Sequence, residues 1–240
     1  NASVRRNAAT PNKKYGAHAA ILLGDAIFAR TIQLAYEEHD NEILGKIAEC
    51  VRTICEGEIV QTLVNREKNI SKKQYFRSVY GKTGVLFELA CFMGAKCADF
   101  KGGEWVSCAT FVGRQLGIAY QIYDDCLDMV GDEDDAGKTL HTDATKGKLT
   151  LPIFNLLECG DRNVEATLRD AIENREVVDY SAFQDNPVFA EALDKAIQVA
   201  LEKNEAAREI LWLLPQTEYR EALAEMTFYM DELLNDCRIS

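Results

Sequence analysis

The chain has 240 residues, 47% of them apolar, which is enough to bury a sizeable core in one large domain. Its 27 basic and 39 acidic residues give a formal net charge of -12, which argues against a nucleic-acid-binding surface. A small anionic ligand stays compatible, because a local cluster of cations and metal can reverse the field of an acidic protein.

The predicted elements are helical throughout. Four prolines (Pro11, Pro152, Pro187, Pro215) leave long unbroken stretches, and apolar residues recur at a period near 3.6, so an all-α fold is expected. Residues 1–14 are polar and basic and read as a loop. A helix rich in Ala, Leu and Ile is predicted from Tyr15 to Glu38. Asp40 or Asn41 caps the next one, where Ile43, Ile47, Val51, Ile54, Ile59 and Leu63 fall near helical spacing. Ser71, with Gln74 as its capping-box partner, opens a helix running through Val79, Val85, Leu86 and Leu89 to Ala95. Gly102–Gly103 break the chain, and a long helix follows from Glu104 to Val130. Residues 131–147 form a charged loop, and Pro152 stands near the start of the next helix. Gly160–Asp161 interrupt again, and three or four amphipathic helices follow, broken near Asp185–Pro187 and at Pro215. No internal repeat or linker divides the chain, so one domain is expected over 1–240.

The eight cysteines, Cys50, Cys55, Cys91, Cys97, Cys108, Cys126, Cys159 and Cys237, include no CxxC pair and no Cys/His cluster of zinc spacing. They read as small buried hydrophobes of a reducing, cytoplasmic protein. No unbroken apolar run reaches the ~20 residues of a membrane-spanning helix, so no transmembrane segment is expected.

The stretch "YQIYDDCLD" carries the chemistry. On a helix Asp124 and Asp128 share a face, and Asp125 and Asp128 also touch. Three carboxylates beside Ile122, Leu127 and Met129 repel one another, and withdrawal from water raises their cost. A solvated helix end is the plain alternative, and the apolar flanks and Gln121, one turn before Asp125, count against it. The D-x-D-x-D-G pattern of a calcium loop is absent. A Mg²⁺ ion resolves the repulsion, because it takes one or two carboxylates together with substrate phosphates. Lys138, Lys146 and Lys148 follow in the next loop, and carboxylates plus lysines suit a metal-bound diphosphate.

"YQIYDDCLD" followed by "GKT" and "TDATKGKLTLP" resembles the second aspartate-rich motif of the trans-isoprenyl (polyprenyl) diphosphate synthases. "GDAIFA" (Gly24–Ala29), "GEIVQ" (Gly57–Gln61) and "GKTGVLFELAC" (Gly81–Cys91) resemble further blocks of that family in the same order, so the resemblance spans essentially the whole chain. It implies a helical bundle of the isoprenoid synthase type around a central apolar cavity. It also implies a Mg²⁺-dependent enzyme, with up to three ions, that condenses isopentenyl diphosphate with an allylic diphosphate. Asp124, Asp125 and Asp128 would bind the metal. Lys82, Arg5, Arg6, Lys138 and Lys148 would bind diphosphate, Thr83 would hydrogen-bond it, and Gln121 would stabilise charge near the reacting carbons.

The family carries a first aspartate motif shortly before the Arg pair. The family spacing places it just ahead of Asn1, so the chain is expected to lack its N-terminal helices and that motif. Gln61 in "GEIVQ" resembles medium- and long-chain members, and a product longer than C15 is expected. A homodimer is expected, with the apolar faces of residues 41–64 and 71–95 as candidate surfaces. Two rivals are a non-catalytic subunit of a heteromeric synthase and a class I terpene cyclase. The intact "DDCLD" and "GKT" disfavour the first, and the lack of an NSE-type triad disfavours the second.

Overall fold

Thr10 accepts a hydrogen bond from the Lys13 amide (3.2 Å) and Pro11 takes the first helical position, so α1 begins at Pro11 and runs to Glu37. The loop expected over residues 1–14 therefore ends four residues early, and a Thr-Pro cap is the signal that the polar composition hid. Gly16, at φ 83, kinks the helix close to the expected start. Ahead of α1, two two-residue strands, β1 (Val4–Arg5) and β2 (Ala8–Ala9), pair antiparallel, the only strands among the described residues. This computed structural model describes residues 4–5, 8–64, 71–98, 103–131, 140, 148–174 and 176–239, the last span without 177, 179 and 184.

Asp40 caps α2 (Asn41–Val64), accepting from the Glu42 and Ile43 amides at 2.8 and 3.3 Å. Ser71 and Gln74 form the expected capping box at α3 (Lys72–Val79). The helix predicted to continue to Ala95 is then interrupted by a π-helical turn, Tyr80–Gly84, before α4 (Val85–Cys97). The long α5 spans Gly103–Val130. α6 (Leu151–Leu157) has Pro152 in its first turn, and α7 (Arg162–Asn174) follows the turn at Gly160 (φ 81). After a 3₁₀ turn at Tyr180–Phe183, Asn186 caps α8 (Pro187–Leu211), and Thr217 caps α9 (Glu218–Asp236).

α5 is the central rod, packed chiefly between α4 and α8. Its residues Ala119, Ile122 and Cys126, all 0% exposed, join Leu151, Ile153 and Leu156 of α6 and Phe189, Leu193 and Ile197 of α8 in the main core. Close approach to α4 depends on glycine: a Cβ on Gly113 would stand 2.4 Å from the Phe87 carbonyl oxygen, and one on Gly117 would stand 2.8 Å from Gly84 Cα. Helices at this spacing hold the π turn against the C-terminal half of α5.

A separate cluster of Ala35, Ile43, Ile47 and Phe92 joins α1, α2 and α4, so these apolar positions of α2 and α4 serve the chain's own core. By contrast α1 exposes Ile21, Leu22, Ile27 and Phe28. Over 18 of its 27 residues the mean hydropathy reaches 1.3, so by length and composition alone it is apolar enough to cross a membrane. No unbroken apolar run in it reaches ~20 residues, as expected, because Asp25 and Arg30 divide the stretch, and each carries a cost in hydrocarbon.

Candidate active site

The C-terminal turns of α5 set three aspartates and one glutamine into apolar surroundings. Gln121, Asp125 and Asp128 are buried, Asp125 to 2% exposure, beside Ile122, Cys126 and Met129; Asp124 is half-buried. An ionised carboxylate at that depth requires donors, and Asp125 has them on both oxygens. Tyr75 of α3 donates its hydroxyl to Oδ2 at 2.8 Å. The Gln121 amide, at 3.0 Å, and the Lys148 ammonium, at 2.8 Å, both donate to Oδ1. Lys148 and Asp125 form a buried ion pair, their side chains 17% and 1% exposed.

The network extends in two directions. The same Gln121 amide reaches Asp124 Oδ2 at 3.4 Å, and the Gln121 carbonyl accepts the Thr83 hydroxyl at 2.6 Å. Thr83 belongs to the π turn, so this bond couples "GKT" to the aspartate helix across the close α4–α5 contact. Such turns displace one residue from the regular helical register and recur at functional sites. Burial, and after it the charge and hydrogen bond of Asp125, push the Tyr75 hydroxyl well above its usual range, so it stays protonated and remains a donor. The Leu151 amide at the start of α6 approaches the same phenolic oxygen.

The structure therefore brings together Thr83, Gln121, Asp124, Asp125 and Lys148, with Asp128 one turn further along α5. Lys82 stands on the same π turn, half-exposed and 3.4 Å from Glu58 of α2. Arg6 and Lys138 lie outside the described residues, as do Lys146 and most of the 131–147 loop. Arg5 is placed in the backbone of β1, opposite Ala8.

Among the described residues no three His, Cys, Asp or Glu side chains converge into a complete metal cage. Asp124 and Asp128, at i and i+4, share one face of α5, while Asp125 is tied to Tyr75, Gln121 and Lys148.

Tyr75 and Glu58 escape sequence reasoning. Tyr75 lies seven residues before Lys82, two helical turns away, and that register is the one signal that places it near "GKT". Glu58 stands inside "GEIVQ" without any local mark of its partner.

The chain is similar to known proteins over nearly its whole length. The polyprenyl synthetase family model matches residues 1–184. An octaprenyl diphosphate synthase of Haemophilus influenzae is 32% identical over 232 residues, covering 94% of this chain and 68% of that protein. A Caulobacter crescentus polyprenyl synthase, whose crystal structure is described as complexed with calcium and isoprenyl diphosphate, superposes with a TM-score of 0.86 at 27% identity, covering all of this chain and 72% of that one. A decaprenyl diphosphate synthase of Rhodobacter capsulatus gives 0.85 at 27% identity, covering 97% and 72%.

Proposed function

The chain belongs to the polyprenyl synthetase family, and from that premise we propose how its site works. The protein is a trans-prenyl diphosphate synthase, a transferase that joins isopentenyl diphosphate to an allylic diphosphate. Asp124, Asp128 and the Asp125 hub form the metal-binding edge for the allylic diphosphate, with Mg²⁺ as the ion and up to three of them in the loaded site. When bound, Mg²⁺ neutralises the diphosphate and makes it a better leaving group. The calcium and isoprenyl diphosphate of the Caulobacter protein support a divalent cation and a prenyl diphosphate as the ligand pair.

The chain's own residues do the rest. Lys148, fixed by Asp125, and Lys82, on the π turn, present positive charge to the diphosphate. Arg5, Arg6 and Lys138 complete this basic lining in our reading. Gln121 and Thr83, bonded to each other, supply fixed dipoles beside the reacting carbons. The apolar flank of α5 keeps water from the allylic cation until the isopentenyl double bond attacks it. Loss of a proton from the new carbocation, with the released diphosphate as base, completes the condensation.

The observation that carries the reading is the buried Asp125, joined to Lys148 and Gln121 on the helix that also bears Asp124 and Asp128. We propose a product longer than C15, supported by relatives named for octaprenyl and decaprenyl chains. We also propose a homodimer that buries the exposed Ile21, Leu22, Ile27 and Phe28 of α1, since apolar surface of this kind marks association sites.

The test is direct. The full chain is incubated with Mg²⁺, labelled isopentenyl diphosphate and allylic starters of increasing length, and the products are sized. A ladder that vanishes with chelator and with Asp124→Ala is expected. A folded protein that incorporates no label from any starter overturns the assignment.

A further inference from the structure

We propose that Tyr75 is a positioning residue of the diphosphate site, acting through Asp125. The inference rests on the proposed role of that site. Tyr75 is 4% exposed in α3, and its ring packs edge-on against Phe76 and Phe154, at centroid distances of 5.2 and 6.2 Å. The ring's place is set by this packing, and so its hydroxyl is delivered to one point, Asp125 Oδ2, at 2.8 Å.

The consequence follows from how Asp125 divides its oxygens. A carboxylate has one free rotation, about its bond to Cβ. Clamping Oδ2 fixes that rotation and hence the direction of Oδ1, the oxygen that receives both Gln121 and Lys148. Gln121 in turn holds Thr83. One hydroxyl thus sets the aim of an ammonium and a carboxamide carried on two other segments, and through the carboxamide it reaches a third. Sites of this kind lose function when supporting bonds are left slack, since a misplacement of ~1 Å is costly.

Tyr75→Phe removes the hydroxyl and keeps the packing. Calorimetry of inorganic diphosphate with Mg²⁺ reads the site without turnover. Wild type is expected to bind, and Tyr75→Phe to bind about ten-fold more weakly, the loss of one hydrogen bond to a charged group. A double-mutant cycle with Lys148→Met is expected to be non-additive, because both side chains work through one carboxylate. Phe154→Leu, which loosens the ring but keeps the hydroxyl, is expected to weaken binding as well, and it serves if Tyr75→Phe proves too unstable to titrate. Leu211→Ala, in the separate core cluster with Val112 and Ala207, is the control, expected to lower the melting temperature while the affinity stays within about two-fold of wild type.

Wild-type affinity in Tyr75→Phe, additivity in the cycle, or an equal loss of affinity in Leu211→Ala would each overturn the positioning role while leaving the site's assignment intact. Failure of the wild-type protein to bind Mg²⁺ and diphosphate at all would overturn the assignment itself, and this inference with it.

Discussion

Replacing Gly117 by alanine tests whether the α4–α5 spacing sets the geometry of the site. A Cβ at this position would lie 2.8 Å from Gly84 Cα and 2.9 Å from Phe87 Cβ. Carbon atoms pack comfortably at about 3.5–4.0 Å, so the helices must part by about 0.7–1.2 Å. Gly84 is backbone at the end of the π turn and cannot swing aside, so the turn itself must move. Over-packing of this kind costs about 1–3 kcal/mol. The larger effect falls on function, because the Thr83–Gln121 hydrogen bond of 2.6 Å spans the same contact. A parting of ~1 Å breaks it, and the expected loss of turnover is about 100-fold. Gly94→Ala is the control: its Cβ meets nothing within 4 Å, and alanine there favours the helix by about 0.5–1 kcal/mol. Thermal melts and condensation rates of the two variants decide the matter. Wild-type melting and turnover in Gly117→Ala would refute the argument.

Three other perturbations have definite outcomes. Lys148→Met leaves the Asp125 carboxylate buried without its cation, so urea denaturation should show a loss of about 3 kcal/mol, and condensation should fall with it. Arg208→Leu removes the cation that donates to Asp231 at 2.5 Å between α8 and α9; the melting temperature should drop while the Mg²⁺ concentration for half-maximal activity stays put. Asp161 caps α7, and the Asn186 side chain, followed by the Val164 and Asn163 amides, holds its carboxyl below the ordinary value. A lowered folded pKa stabilises above the unfolded value near ~4 and ceases to do so as pH falls through the folded value. Asp161→Ala should therefore melt below wild type at neutral pH, and the gap should close in acid beneath about pH 4.

The features legible in the sequence are those whose physical cause lies within a few residues. The Ser71 and Gln74 side chains each accept from the other's backbone amide, Asp40 and Asn186 cap the helices they precede, and Asp124 and Asp128 share a face through helical spacing alone. Even the early start of α1 is local, for Thr10 and Pro11 spell a cap that the charge of the segment obscured. The π turn is different. "YGKTG" can continue a helix as well as interrupt one, and glycines carry no periodic mark. Its contacts are with distant backbone: Gly81 lies against Gly57, and Gly84 against the helix face bearing Gly117.

Tyr75 shows the same limit at the site itself. Its hydroxyl meets a carboxylate fifty residues away, and within "KKQYFRSV" it reads as one more aromatic on an amphipathic helix. Sequence locates charged groups that must be neutralised, because three neighbouring aspartates in an apolar helix demand explanation by themselves. It does not locate the neutral groups that orient them, since a tyrosine or a glycine is inexpensive to bury and advertises no debt. The residues that reveal a prenyl diphosphate site are thus its electrostatic ones, whereas the aim of those charges is held by packing that emerges only when α3, the π turn and α5 meet.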